Sequence, residues 1–168
     1  MFANRIKFVL FAAAGLVLAM AFAPLSAYAT TATATIAVST TVTNTCTISA
    51  TGLPFSAYTG AAADPGTATL TINCTNLANY SVALDKGLGA GASVTTRQMT
   101  NGSSTLGYSL YKDSGHGTIW GDGTGSTVTV AGTGNGTPQT LTVYGQIPSG
   151  ENSISGTYTD TVTATITY

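Results

Sequence analysis

Residues 30–46 read TTATATIAVSTTVTNTC, and the rest of the chain is organised around them. Ala32, Ala34, Ile36, Val38 and Val42 share one parity, interrupted only by Thr40. Thr33, Thr35, Ala37, Ser39, Thr41 and Thr43 share the other. A period of two points successive side chains to opposite faces, so the stretch is expected to be one long strand with an apolar and a hydroxyl face. It contains no glycine or proline, and no charge occurs from Thr30 until Asp64. Such a strand has to bury its apolar face, either in its own domain or in another. The second arrangement is expected.

Upstream, Arg5 and Lys7 precede an apolar run from Phe8 to about Pro24, which ends in Ser26-Ala27-Tyr28-Ala29. That is the layout of a secretory signal peptide spanning residues 1–29, cleaved after Ala29. The apolar core is short for an uncleaved membrane anchor, so no stable membrane insertion is expected after cleavage.

About 139 residues remain, enough for one domain with a real core. They carry Lys86, Arg97 and Lys112 against Asp64, Asp85, Asp113, Asp122, Glu151 and Asp160, a formal charge of about −3. No basic patch exists, which argues against nucleic acid as a partner. Threonine, serine, asparagine and glycine supply the surface in place of lysine and glutamate, as suits an exported protein that packs against copies of itself.

Cys46 and Cys74 are the two cysteines. In an exported chain an even pair is most simply a disulfide. The alternative, a metal or redox pair, needs closer spacing or nearby histidines. Closing this loop is worth on the order of 3.5 kcal/mol by chain-entropy reasoning.

From Thr45 onward the chain shows short strands and no convincing helix. Strands are expected over 45–50, 67–73, 80–84, 106–111, 118–120, 127–131 and 140–146, with loop over 57–66 and a Gly-rich connection over 85–93. Asn101-Gly102 suits a tight turn after Arg97-Gln98-Met99. The last strand, Gly156 to Tyr168, places Tyr158, Val162, Ala164, Ile166 and Tyr168 on one parity. Regular short strands separated by turn signals indicate an all-β sandwich or barrel.

The chemistry-bearing residues do not assemble into a catalytic motif. His116, the sole histidine, lies in Gly115-His116-Gly117 beside Ser114 and Asp113, and sequence neighbours in a turn are not a triad. Trp120 and Tyr111 could stack on a sugar, although a single tryptophan in a β protein is more often core. Asp122-Gly123 lacks the acidic partners a calcium site wants. The sequons at Asn73, Asn79, Asn101 and Asn135 arise easily in a threonine-rich chain. The threonines do not recur at one solenoid interval, which argues against ice binding. No enzyme activity, cofactor or metal is expected.

Taken together, the strand running into Cys46, the second cysteine in Ile72-Asn73-Cys74 and the ending Gly156-x-Tyr158-x-Asp160-x-Val162-x-x-x-Ile166-x-Tyr168 resemble the spore coat protein U domain family. That family includes pilins of archaic chaperone–usher systems such as the Csu pilus. The resemblance covers about Thr33 to Tyr168. It implies an incomplete immunoglobulin-like β-sandwich over residues 45–168, completed by donor-strand exchange with the N-terminal strand, residues 30–44, of a neighbouring subunit. Ala32, Ala34, Ile36, Val38 and Val42 would then be the donor residues, and Val162, Ala164, Ile166 and Tyr168 the acceptor and chaperone-facing residues. The partners implied are other pilin subunits, a periplasmic chaperone and an outer-membrane usher. The place implied is the cell surface, in adhesion and biofilm formation. The single-domain length points to a shaft or minor subunit. Two alternatives stand beside it: a secreted carbohydrate-binding module, and a spore or cyst coat protein of the same family.

Overall fold

The computed structural model describes residues Tyr28–Tyr168, so the expected signal peptide lies outside the described residues except for Tyr28 and Ala29. The chain divides into two units at Ser39–Thr40, and each is described by itself. Among the described residues no helix is long and apolar enough to cross a membrane.

Eight strands follow in order: β1 Cys46–Ala50, β2 Asp64–Cys74, β3 Asn79–Leu84, β4 Arg97–Asn101, β5 Ser104–Tyr111, β6 Val130–Thr133, β7 Gln139–Ile147 and β8 Ala164–Thr167. They form a five-stranded sheet, β1-β2-β7-β5-β4, and a three-stranded sheet, β6-β3-β8. Every named pair is antiparallel. The fold is an all-β immunoglobulin-like sandwich.

Alternation explains the core. Leu70 and Ile72 on β2, Tyr80, Val82 and Leu84 on β3, Leu106, Tyr108 and Leu110 on β5, and Val143 and Ile147 on β7 all point inward and are buried. The intervening residues face out. Trp120 is 1% exposed, and its indole N–H donates to the Val82 carbonyl at 2.9 Å, so it is a core residue. Cys46 and Cys74 sit directly opposite each other in the β1–β2 register and form the expected disulfide.

The polar centre of the core is Arg97, which is fully buried. Its guanidinium donates to the carbonyls of Asp85, Val94, Leu84 and Trp120 at 2.8, 3.2, 3.3 and 3.0 Å. A buried charge is tolerated when it is hydrogen-bonded, and each of the three guanidinium nitrogens has an acceptor. Here they tie the connection after β3, the start of β4 and the Trp120 segment together.

Several expected boundaries move. The first strand begins at Cys46, not Thr30: from Tyr28 to Asn44 no residue belongs to a ladder. An alternating sequence becomes a strand only when a neighbour accepts its backbone hydrogen bonds. At the other end, only Ala164–Thr167 of the expected strand Gly156–Tyr168 pairs as β8, with Thr159 making a separate bridge to Thr100. The 118–120 and 127–131 strands shrink to the bridges Tyr111–Ile119 and Trp120–Val128, followed by β6 from Val130. In contrast, β2 starts at Asp64, inside the expected loop. Gly66 and Gly145 are cross-strand partners facing inward, and a Cβ at either would strike Leu53 and Phe55. Paired glycines thus open a slot through which Leu53–Phe55 enters the sandwich.

Candidate functional site: an open groove between two sheet edges

β1 is one edge of the five-stranded sheet and β8 one edge of the three-stranded sheet. Each pairs on one side only, β1 with β2 and β8 with β3. The two edges come near each other across an opening, and between them lies a groove of about 440 Å³. One wall runs from Ala50 through Leu53 to Phe55, and the other from Tyr158 to Ala164. The floor is core: Leu70, Leu84, Met99, Tyr108, Leu110 and Val143.

The two strand edges that flank the groove have a consistent signature. Ile48 on β1 and Val162, Ala164 and Ile166 on the C-terminal segment point inward yet stay only half-buried. They carry the parity of core residues without the cover of one. Tyr168 lies past the end of β8 and is 55% exposed.

Two aspartates hold the C-terminal wall where the ladder does not. Asp160 accepts the Tyr108 hydroxyl at 2.7 Å and the Leu88 N–H at 2.8 Å. Asp85 accepts the N–H groups of Thr163 and Gly87, both at 2.9 Å, while its own N–H donates to the Thr163 carbonyl. Partial burial works against ionisation of Asp85, but those N–H donors outweigh it, and its carboxyl titrates below the usual range. Burial, reinforced by the bond to Asp160, pushes the Tyr108 phenol well above its ordinary value. Upstream, the Tyr158 hydroxyl donates to the Ile154 carbonyl at 3.0 Å. That bond fixes the chain just before the isolated bridge between Thr159 and Thr100.

The N-terminal segment presents the complementary picture. Ala32 and Ala34 are exposed, and Ile36, Val38 and Val42 are 87%, 90% and 78% exposed.

The remaining sequence candidates fall elsewhere. His116 sits in a turn with a φ of 54°, its ring edge-on to Tyr111 and its Nδ1 3.4 Å from the Gln146 amide. Asp113 accepts the N–H groups of Gly117 and Thr118, which draw its carboxyl below the usual range. Asp122 closes a turn onto the hydroxyl and N–H of Thr124. Among the described residues no three metal-ligating side chains cluster. Sequence reasoning did not single out Leu53, Phe55, Asp85 or the Asp160–Tyr108 bond, because these join positions far apart in the chain. Asp160 alone left a trace, as the fixed acid of the C-terminal pattern.

The Spore Coat Protein U domain family matches residues 32–165. Protein U of Myxococcus xanthus is 41% identical over 109 residues, which are 61% of this chain and 60% of that protein. A solved chaperone–tip adhesion subunit pre-assembly complex, CsuC–CsuE from archaic chaperone–usher Csu pili of Acinetobacter baumannii, superposes with a TM-score of 0.58. The sequence identity is 27%, over 76% of this chain and 41% of that one. The chain therefore spans less than two thirds of either relative. With both the sequence match and the two-sheet architecture in place, the chain belongs to the spore coat protein U domain family.

Proposed function

We propose that this protein is a structural subunit of a surface pilus, and that it polymerises by laying its N-terminal strand into the groove of a neighbouring copy or related subunit. The observation that carries this reading is the open groove between β1 and β8, with inward apolar residues left half-covered. The same chain carries a segment with the opposite deficiency, an alternating strand with no ladder and an exposed apolar face. An added strand would satisfy both unpaired edges with backbone hydrogen bonds, and alternate side chains would cover the floor. On this reading Ile36, Val38 and Val42 fill the deeper positions, and Ala32 and Ala34 the shallower ones. Thr40 is the polar interruption.

Self-insertion is disfavoured by connectivity. The segment runs directly into β1, whose first residue is tied to Cys74. Folding back beside β1 needs a tight hairpin at residues 43–45, and Thr43-Asn44-Thr45 offers no glycine for it. Donation to another subunit needs no turn. Such head-to-tail contacts do not close, so they build a filament.

Before assembly the groove has to be kept from aggregating. The similarity to a chaperone-bound adhesion subunit supports a periplasmic chaperone in that role and an outer-membrane usher as the site of exchange. The expected service at the cell surface is adhesion and biofilm formation. The family's coat-protein members support a second setting, a spore or cyst coat built by the same strand donation.

The test is gel migration of surface-sheared material, with and without heating in detergent, comparing wild type and Ile36→Asp. Burying a carboxylate in an apolar groove costs several kcal/mol. A detergent-resistant ladder in wild type, lost in the variant while monomer still reaches the periplasm, supports the reading. Monomer in both samples ends it.

A further inference from the structure

The five-stranded sheet has a second face, turned away from the groove, for which strand donation has no use. Its register aligns outward side chains in rows across the strands: Ser49, Thr71 and Thr140; Thr69 and Thr142; Thr67, Tyr144 and Tyr111; Gln146 and Ser109. No outward position of the five strands carries a lysine, arginine, aspartate or glutamate, and none carries leucine, isoleucine, valine, methionine or phenylalanine. Glu151 lies beside Gly107 near the β4 edge, and the Asp113 carboxylate is turned back onto the N–H groups of Gly117 and Thr118 in the turn that carries His116.

Tyr144 lies on the central strand β7 with Tyr111 as its partner on β5. Both are half-buried. His116 packs edge-on to Tyr111 with centroids 5.0 Å apart, and Gln146 bonds to His116. The result is a short aromatic platform with an amide on one flank and threonine hydroxyls on the other.

The chemistry selects among partners. A face without cations does not recruit nucleic acid or an acidic polymer. The centre of a protein–protein contact is its most apolar part, and here aliphatic side chains are missing altogether. Hydroxyls spaced roughly 4.8 Å across strands and roughly 6.7 Å along them match a ligand that is itself a regular array of hydroxyls. A sugar ring supplies that rim, and its C–H face is complementary to the electron-rich face of an aromatic ring. We infer that this face binds neutral polysaccharide, with Tyr144 and Tyr111 as the stacking platform and Thr67, Thr142 and Gln146 as flanking hydrogen-bond partners. The groove lies on the opposite side of the same sheet, so strand donation and glycan binding do not compete.

The experiment is a glycan array carrying β-glucan, mannan, galactan and chitin oligosaccharides beside sialylated, sulfated and uronate-containing glycans. It is probed with the full secreted chain in its assembled form. The expected result is binding to neutral members, weakened roughly ten-fold by Tyr144→Ala and retained by Tyr144→Phe. Thr142→Glu, which leaves both rings in place, is expected to weaken it too, and keeps the test alive should Tyr144→Ala fail to assemble. Three results overturn the inference: no neutral binding, binding confined to anionic glycans, or neutral binding indifferent to both Tyr144→Ala and Thr142→Glu. Glycan-free association of fibres side by side, abolished by Thr142→Glu, would assign the face to a second copy instead and overturn it equally.

Discussion

The central strands and the two terminal segments are written in the same alternating chemistry, yet they end in different states. Ile72 and Val82 are fully buried, Ala164 and Ile166 are half-buried, and Ile36 and Val38 are almost fully exposed. Residue type does not separate them. The number of neighbouring strands does: β2 and β3 are paired on both sides, β8 on one, and residues 30–44 on none. Alternation fixes which side chains share a face, and pairing decides whether that face is covered.

The comparison breaks most severely where the closed half is held. Arg97→Ala leaves the carbonyls of Asp85, Leu84, Val94 and Trp120 without their donor, and is expected to cost about 3–5 kcal/mol. Chemical denaturation of the chaperone-free subunit would read the loss, and an unchanged midpoint would remove Arg97 from the account. Next comes the disulfide, which fastens β1 to β2. Replacing both cysteines by serine is expected to cost on the order of 3.5 kcal/mol, measured the same way. A loss confined to a few tenths would mean that β1 is held by pairing alone.

Smaller effects sharpen the contrast at the groove. Ile166→Ala removes a half-covered side chain, so the free subunit should lose about 1 kcal/mol, less than a full core truncation costs. The same change should weaken detergent resistance of the assembled ladder. Equal losses for Ile166→Ala and Ile72→Ala would erase the distinction between open and closed edges. Tyr158→Phe should cost about 1 kcal/mol by freeing the Ile154 carbonyl.

The clasp on the C-terminal wall has a pH signature. The Asp85 carboxyl is lowered by folding, so its contribution is present above its unfolded value of about 3.9 and lost as the pH falls through the lower folded value. The Tyr108 phenol is raised by folding, so its contribution is present below about pH 10 and lost as the pH rises further. A stability profile should therefore fall at both ends. Asp85→Asn should flatten the acid limb and Tyr108→Phe the alkaline one, and unaltered limbs would contradict the clasp.

Much of the sandwich was legible from the chain. The faces of residues 67–73, 80–84, 106–111 and 140–146 follow from alternation, and the Asn101-Gly102 turn from its residues. Gly102 takes a φ of 60° at the first of the two loop positions between Asn101 and Ser104. The open groove was legible only as a family property, since which edges stay unpaired depends on long-range order. Trp120 declared its core role by type. Arg97 did not, because a lone arginine beside a turn reads as surface until the carbonyls of Leu84, Asp85 and Trp120, distant in the chain, converge on it with that of Val94. The strand lengths at both ends were overestimated for one reason: pattern shows what a segment can pair as, not whether a partner is present.

Hydrogen exchange on the full secreted chain, assembled and dissociated, tests strand donation most directly. The account expects amides of residues 33–42 to exchange freely in the monomer and to become strongly protected in the assembly, together with the outer-edge amides of β1 and β8. Protection of residues 33–42 already in the monomer, or free exchange in the assembled fibre, would contradict it.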